Sequence, residues 1–86
     1  MYFTYVLYSD KLKKYYTGYT KDIDKRIVHH NIGLNKWSKR GIPWELVYSE
    51  IYSTKSEAIK RENYLKTGKG REFIKGRVAK VVKAHV

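Results

Sequence analysis

"YFTYVLYSDKLKKYYTGYT", residues 2–20, is the stretch on which the fold turns. Both ends are dense in aromatic and β-branched side chains, which suit the pleated, half-buried surface of a strand. The run therefore predicts two strands, "YFTYVLYS" and "KYYTGYT", closed into a hairpin by the five-residue connection "DKLKK". Gly18 interrupts the second strand, where a glycine costs stability. It marks either a bulge or a close approach by another backbone or a ligand. "YYTGYT" sets three tyrosines around that glycine, and tyrosines this dense need mean no more than a packed sheet face.

Working outward, "KDIDKRIVHHNIG" predicts a helix with Asp22 as N-cap, Ile23 and Ile27 on one face, and Asn31 with Gly33 at its close. Arg26 and His30, four apart, share a face. "LNKWSKRGIP", residues 34–43, follows neither helical nor strand periodicity and carries Lys36, Lys39 and Arg40, so an exposed basic loop is expected. "WELVYSEIYS" predicts a third strand, with Trp44, Leu46, Tyr48 and Tyr52 on one side and Val47 and Ile51 on the other. Apolar residues on both sides point to a central strand.

"TKSEAIKRENYLK" opens with Thr54 and Glu57 in capping-box spacing. Four residues after Ala58, Glu62 falls in or beside the inward stripe of this helix. A carboxylate there needs either a cationic partner, such as Arg61 or Arg26, or a function. Gly68 and Gly70 are expected to end the helix, and "REFIKGRVAKVVKAHV" predicts another. Phe73, Ile74, Val78, Val81 and Val82 make its apolar face, and Lys75, Arg77, Lys80 and Lys83 its basic one. The fold class is thus α/β: a small three-stranded, largely antiparallel sheet flanked by helices, in the order β-β-α-β-α-α. One domain is expected over 1–86, with 69–86 as a basic helical extension.

A chain of 86 residues buries roughly 60–65% of its unfolded surface, enough for one core. Lys and Arg number 19 against 8 Asp and Glu, a formal charge of +11. That exceeds what solubility requires and repels itself in so small a volume, so a polyanionic partner is expected. Nucleic acid is favoured over a membrane surface because the cations run from Lys11 to Lys83 rather than lining one amphipathic helix; the alternative is a merely basic surface. There is no cysteine, which excludes disulfides, thiolate metal sites and a Cys nucleophile. No apolar run reaches membrane-spanning length and "MYFTYVLYSD" lacks the pattern of a signal peptide, so a cytoplasmic protein is expected.

Across these elements runs a set of residues at defined spacings: Tyr5, Tyr16 eleven later, Gly18, Arg26 eight beyond the glycine, His30 four beyond that, and Glu62. Together they resemble the GIY-YIG nuclease domain. "TYV" around Tyr5 stands at the first motif of that family, "YTG" at Tyr16 to Gly18 at the second, and the likeness runs from about Tyr2 to about Leu65. "HHNIG", "PWELVYSE" and "SEAIKRENYLK" make it most similar to the small single-domain bacterial members, and similar also to the nuclease domain of structure-specific endonuclease subunits. Two departures stand out. The first motif has Phe3 and Thr4 in place of its glycine, and Tyr19 occupies a position where some relatives carry a lysine.

The resemblance implies a metal-dependent endonuclease or nickase acting on DNA without strict sequence choice. Phosphodiester hydrolysis needs an activated water, charge stabilisation on the non-bridging oxygens and help for the leaving oxygen. Glu62 would hold one Mg²⁺ or Mn²⁺ ion, which needs only one or two carboxylates when water and substrate complete its shell. Arg26 would neutralise phosphate charge with its always-protonated fork, and His30 would relay a proton or orient the water. Tyr5 and Tyr16 are both implied as base or water-positioning groups. Either would need its pKa lowered from near 10 to roughly 7–8, with Arg26 and the metal as sources of that stabilisation. Gly18 would let the substrate come close.

Taken singly, each of these residues has an ordinary structural use: tyrosines pack sheets, a histidine near a helix end interacts with the dipole, and an arginine is a surface charge. Lys36, Trp37, Lys39 and Arg40, together with Lys75, Arg77 and Lys80, would contact phosphates, with an indole available for stacking. RNA or a branched structure remains open as substrate, as does a protein partner. Two further readings stand beside the enzyme: a nucleic-acid-binding module with little turnover, and a catalytic subunit that needs a partner.

Overall fold

The computed structural model describes residues 1–33 and 36–85, and the side chains of all of these except Trp37 and residues 78–85. Strand β1 (Tyr2–Ser9) and strand β2 (Lys14–Thr20) form the expected hairpin. Helix α1 (Ile23–Asn31), a single turn α2 (Lys36–Lys39), strand β3 (Trp44–Tyr52), helix α3 (Lys55–Leu65) and helix α4 (Gly68–His85) complete the order. Apart from that extra turn, the order is the β-β-α-β-α-α of the sequence reading. The connection in the hairpin is one residue shorter than expected, since Lys14 already pairs with Ser9. Lys13 makes the tight return with a φ of 56°, and Ser9 Oγ accepts from the Leu12 N–H at 3.1 Å.

All three strands are antiparallel, in the order β2-β1-β3. β3 is therefore an edge strand, and β1 is the central one. What makes β3 look central is a bulge: its register against β1 shifts between Val6, which faces Tyr48, and Leu7, which faces Leu46. The extra residue, Val47, reverses the alternation. Trp44 and Leu46 lie on the face of Leu7, while Tyr48, Glu50 and Tyr52 lie on the face of Val6. Apolar side chains on both sides of β3 thus reflect a change of face part-way along it.

Each face of β1 is covered by helices. On one, Tyr5, Leu7 and Trp44 form a cluster with Ile23 and Ile27 of α1 packed against it. On the other, Val6 meets Leu65 of α3 and Ile74 of α4, and Thr4 Oγ1 donates to the Ala58 carbonyl at 2.8 Å. Expected caps are in place: Asp22 Oδ1 accepts from Lys25 N–H at 3.0 Å, and Thr54 Oγ1 from Glu57 N–H at 3.2 Å.

The segment expected as an exposed loop is anchored instead. Trp44 Nε1 donates to the Ser38 carbonyl at 2.6 Å, Ser38 is fully buried, and the Asn31 side chain clamps the Trp44 backbone through two hydrogen bonds, at 3.1 and 2.7 Å. Gly68 and Gly70 also differ from expectation. They begin α4 rather than end α3, and a Cβ on Gly70 would fall against the Tyr64 carbonyl and within 2.5 Å of Leu65 Cα. Glycine is what allows α4 to turn back tightly and seat Ile74 on the sheet. Val78, Val81 and Val82 lie outside the residues whose side chains are described. Among the described residues no helix is long and apolar enough to cross a membrane.

Because backbone rather than a flexible side chain stands in the way, Gly70→Ala is expected to cost at least about 1–3 kcal/mol. In a domain of this size that lowers the thermal midpoint by roughly 4–8 °C per kcal/mol. Gly68→Ala, whose Cβ meets nothing within 4 Å, is the control; a Gly70→Ala melt as high as that control would refute the packing argument.

Candidate active site

The register between β1 and β2 places Tyr5 opposite Gly18 and Leu7 opposite Tyr16. Pairing runs unbroken through Gly18, so no bulge lies there. The close approach is made by Tyr5: a Cβ at position 18 would stand 2.7 Å from the Tyr5 hydroxyl and 3.2 Å from Tyr16 Cε1. The glycine is thus a seat for the Tyr5 ring, which lies over it with Tyr16 stacked alongside, ring centroids 6.3 Å apart.

α1 brings His30 in behind these rings. His30 is buried, with 4% exposed; its Nε2 is 3.4 Å from the Tyr5 hydroxyl, and its ring stands edge-on to Tyr16 with centroids 4.6 Å apart. Among the described residues its buried Nδ1 has no hydrogen-bond partner. Burial, helped by the Arg26 and His29 charges, pushes the imidazole below its usual pKa, so it is neutral at pH 7. Tyr5 is shifted the other way. Burial and the neighbouring Tyr16 hold its hydroxyl well above 10, outweighing the opposing pull of Arg26. In the free protein Tyr5 is therefore a phenol, not a phenolate.

In front of the rings, at the open edge of β2, is a cleft of about 550 Å³. Tyr5, Tyr16, Gly18, Arg26 and Glu62 all line it, five of the six residues singled out as catalytic, and His30 stands behind it. Glu62 comes from α3 with its side chain 15% exposed. Its partner is neither Arg26 nor Arg61: Lys66, one turn on, donates to Glu62 Oε2 at 2.9 Å. Arg61 is engaged elsewhere, in a fork on Glu50 of β3 at 2.8 and 3.0 Å. Glu50 also accepts from the Tyr48 and Tyr52 hydroxyls, and these bonds outweigh its burial and hold it below the usual carboxylate range. The network ties α3 to β3 one residue before Glu62 and so sets the direction in which Glu62 projects.

Five cleft residues escaped the sequence reading: Tyr2, Tyr19, Thr20, Lys21 and Lys55. Lys21 lies 5.3 Å from the Tyr2 ring centre and Lys55 5.9 Å from that of Tyr19. Their signal was weak, because a lysine beside a strand end or a helix cap is ordinarily solvated. Lys36, Lys39 and Arg40 are absent from the cleft lining, as are Lys75 and Arg77; all five are exposed. The side chains of Trp37 and Lys80 lie outside the described residues. Trp44 is core, 2% exposed.

Comparison with known proteins bears on this geometry directly. The family model of the GIY-YIG catalytic domain matches residues 1–75. The chain belongs to the GIY-YIG family. It is 57% identical over 53 residues to a UPF0213 protein of Staphylococcus saprophyticus, and 55% identical over the same length to one of Staphylococcus epidermidis. Each match covers 60% of this chain and 65% of the relative, so the aligned part spans just under two thirds of those proteins. The solution NMR structure of a UPF0213 protein from Bacillus halodurans superposes with a TM-score of 0.54 at 30% identity, covering 88% of this chain and 84% of that one. The domain that carries the cleft is accordingly one of a nuclease family.

The neutral state of His30 has a consequence for stability. As pH falls below about 6.5, the ordinary imidazole value, the unfolded chain takes up a proton that the folded protein resists, so stability declines. Above that value the group contributes no pH dependence. Urea midpoints are expected to fall between pH 7.5 and 5.5, a window above the titration of Glu50, and to fall less in His30→Gln. An equal decline in the variant would show that His30 is not the group responsible.

Proposed function

We propose that this chain hydrolyses phosphodiester bonds of DNA in the cleft, as a metal-dependent endonuclease or nickase without strict sequence choice. The observation that carries this reading is the charge make-up of the lining: three cations, Lys21, Arg26 and Lys55, share one cleft with a single carboxylate, Glu62, and four tyrosines. Cations suit the substrate phosphate, and a lone carboxylate among them suits a hard cation that the phosphate itself helps to bind. Among the described residues no three acidic or imidazole groups converge, so the fit is to a single Mg²⁺ or Mn²⁺ ion on Glu62. Lys66 takes only one of the two carboxylate oxygens. When bound, such an ion stabilises charge on the phosphate and lowers the pKa of water.

The protein's own groups then divide the work. Arg26, exposed at the rim, offers its fork to the non-bridging oxygens, and Lys55 supplies the cation that Tyr19 does not. Tyr16 is partly exposed, whereas Tyr5 is 1% exposed, so Tyr16 is the hydroxyl that a water in the cleft reaches first. Neutral His30 behind it is the proton acceptor, and Tyr5, held as a phenol with its hydroxyl at Nε2, keeps the imidazole in place. A site built this way reads backbone charge, not base edges, which supports weak sequence preference. The chain is read as one unit over 1–86 in which α4 adds basic surface, in keeping with a cytoplasmic, nucleic-acid-bound setting.

Cleavage of supercoiled plasmid in Mg²⁺ tests the assignment. Glu62→Gln is expected to lower turnover at least about 100-fold while leaving DNA affinity in EDTA unchanged. Cutting by Glu62→Gln at the wild-type rate would end it, and binding without cutting by the wild type would leave the binding-module reading. Tyr16→Phe is expected to lower kcat by about 10²–10⁴ and Tyr5→Phe by less; the reverse ranking would transfer the water-facing role to Tyr5. The acid limb of the pH–rate profile is expected below about 6.5, since His30 must be neutral to accept the proton.

A further inference from the structure

β2 is an edge strand, and the cleft just described takes its β2 lining from Tyr16 to Thr20. Toward the Lys14 end of the strand, between β2 and the α3–α4 turn, lies a second groove of about 690 Å³. Beneath it lie the core residues Val6, Leu65 and Ile74, each at most 3% exposed, and its rim carries Lys13, Lys14, Lys66, Arg71 and Lys75 with no acidic residue among the lining. Two of those cations have carboxylate partners: Lys13 on Asp10 at 2.6 Å and Lys66 on Glu62 at 2.9 Å. Among the described residues no carboxylate pairs with Lys14, Arg71 or Lys75. These three come from β2 and from successive turns of α4, elements brought together only by the fold.

A groove bordered by unpaired cations is costly to maintain for packing alone, because like charges repel across it. It is the form of surface that binds single-stranded nucleic acid, where cations follow the phosphates and bases lie on apolar or aromatic groups. Tyr15, partly exposed in the groove with Tyr8 at 4.9 Å behind it, offers such a ring. The two clefts also adjoin through shared residues. Tyr16 lines both, and Lys66 lines the second while holding Glu62 of the first.

We infer that the second groove binds a single-stranded segment of the DNA strand adjoining the scissile phosphate, with Lys14, Arg71 and Lys75 on its phosphates and Tyr15 against a base. The inference rests on the nuclease reading of the first cleft and names the form of substrate presented to it: a strand that leaves the duplex and crosses the open edge of β2.

The test is fluorescence anisotropy in EDTA with labelled single strands of about 4 and about 12 nucleotides, lengths within the range of single-strand sites. The comparison is between wild type and the Lys14→Gln/Arg71→Gln/Lys75→Gln variant. A charge-matched control, Lys11→Gln/Lys25→Gln/Lys60→Gln, alters three cations that line neither cleft. In wild type and control, affinity rises from the short strand to the long one. In the groove variant the rise is lost, affinity for the long strand drops about tenfold or more, and the slope of log affinity against log salt becomes shallower by about 2, near 0.7 per lost phosphate contact. Equal affinities and slopes in the wild type and the groove variant overturn the inference, as does an equal loss per charge in the control. If the wild type cuts plasmid while the groove variant binds as well as it does, the groove fails and the nuclease stands. If the variant loses binding but the wild type never cuts, the nuclease fails and the groove stands.

Discussion

Burying β1 on both faces is the constraint from which the rest of the molecule follows. From Thr4 to Leu7 every residue is at most 1% exposed, so each side chain must find a complementary partner on alternate sides of one strand. Tyr5 and Leu7 meet α1 and Trp44; Thr4 and Val6 meet α3 and α4. Both neighbours of β1 are consequently edge strands. The edge of β3 carries the bulge that lets it contribute to both cores, and the edge of β2 stays open where the cleft forms.

The same constraint decides the chemistry of Tyr5. A phenol that belongs to the core cannot be a solvated base, and its burial raises the cost of the phenolate more than Arg26 lowers it. His30 obeys the same physics with the opposite sign: removal from water disfavours the imidazolium and leaves a neutral ring with a nitrogen 3.4 Å from Tyr5. A buried pair whose phenol keeps its proton and whose imidazole resists a second one stays uncharged on both sides. Around it, Lys21, Arg26 and Lys55 line the cleft against the single carboxylate of Glu62, so the excess of cations in the composition is present locally too.

Positioning in this domain depends on contacts that cross between elements. Glu62 is aimed by the residue before it, whose guanidinium is held by a carboxylate on β3 together with two tyrosine hydroxyls. The indole of Trp44 holds the turn after α1 through Ser38, and Asn31 returns two hydrogen bonds to the Trp44 backbone. Each is a polar group satisfied at long range, so removing one partner would leave a buried donor or acceptor exposed to the full cost of desolvation.

Local pattern determined a good deal without any structure. Strand boundaries at Tyr2–Ser9 and Lys14–Thr20, the caps at Asp22 and Thr54, and the inward placement of Glu62 follow from side-chain shape, periodicity and capping chemistry, all of which act within a few residues. The spacing of Tyr5, Tyr16, Gly18, Arg26, His30 and Glu62 carried the family likeness for the same reason, since it is a property of the chain order. Tertiary structure alone decided which strand lies in the middle, because the bulge at Val47 reverses an alternation that the sequence presents as continuous. It also decided that Glu62 pairs with Lys66 and Arg61 with Glu50, that Gly18 makes room for Tyr5, and that Lys14 meets Arg71 and Lys75 across a groove. Those outcomes depend on distances between segments far apart in sequence, and local propensity carries no term for them.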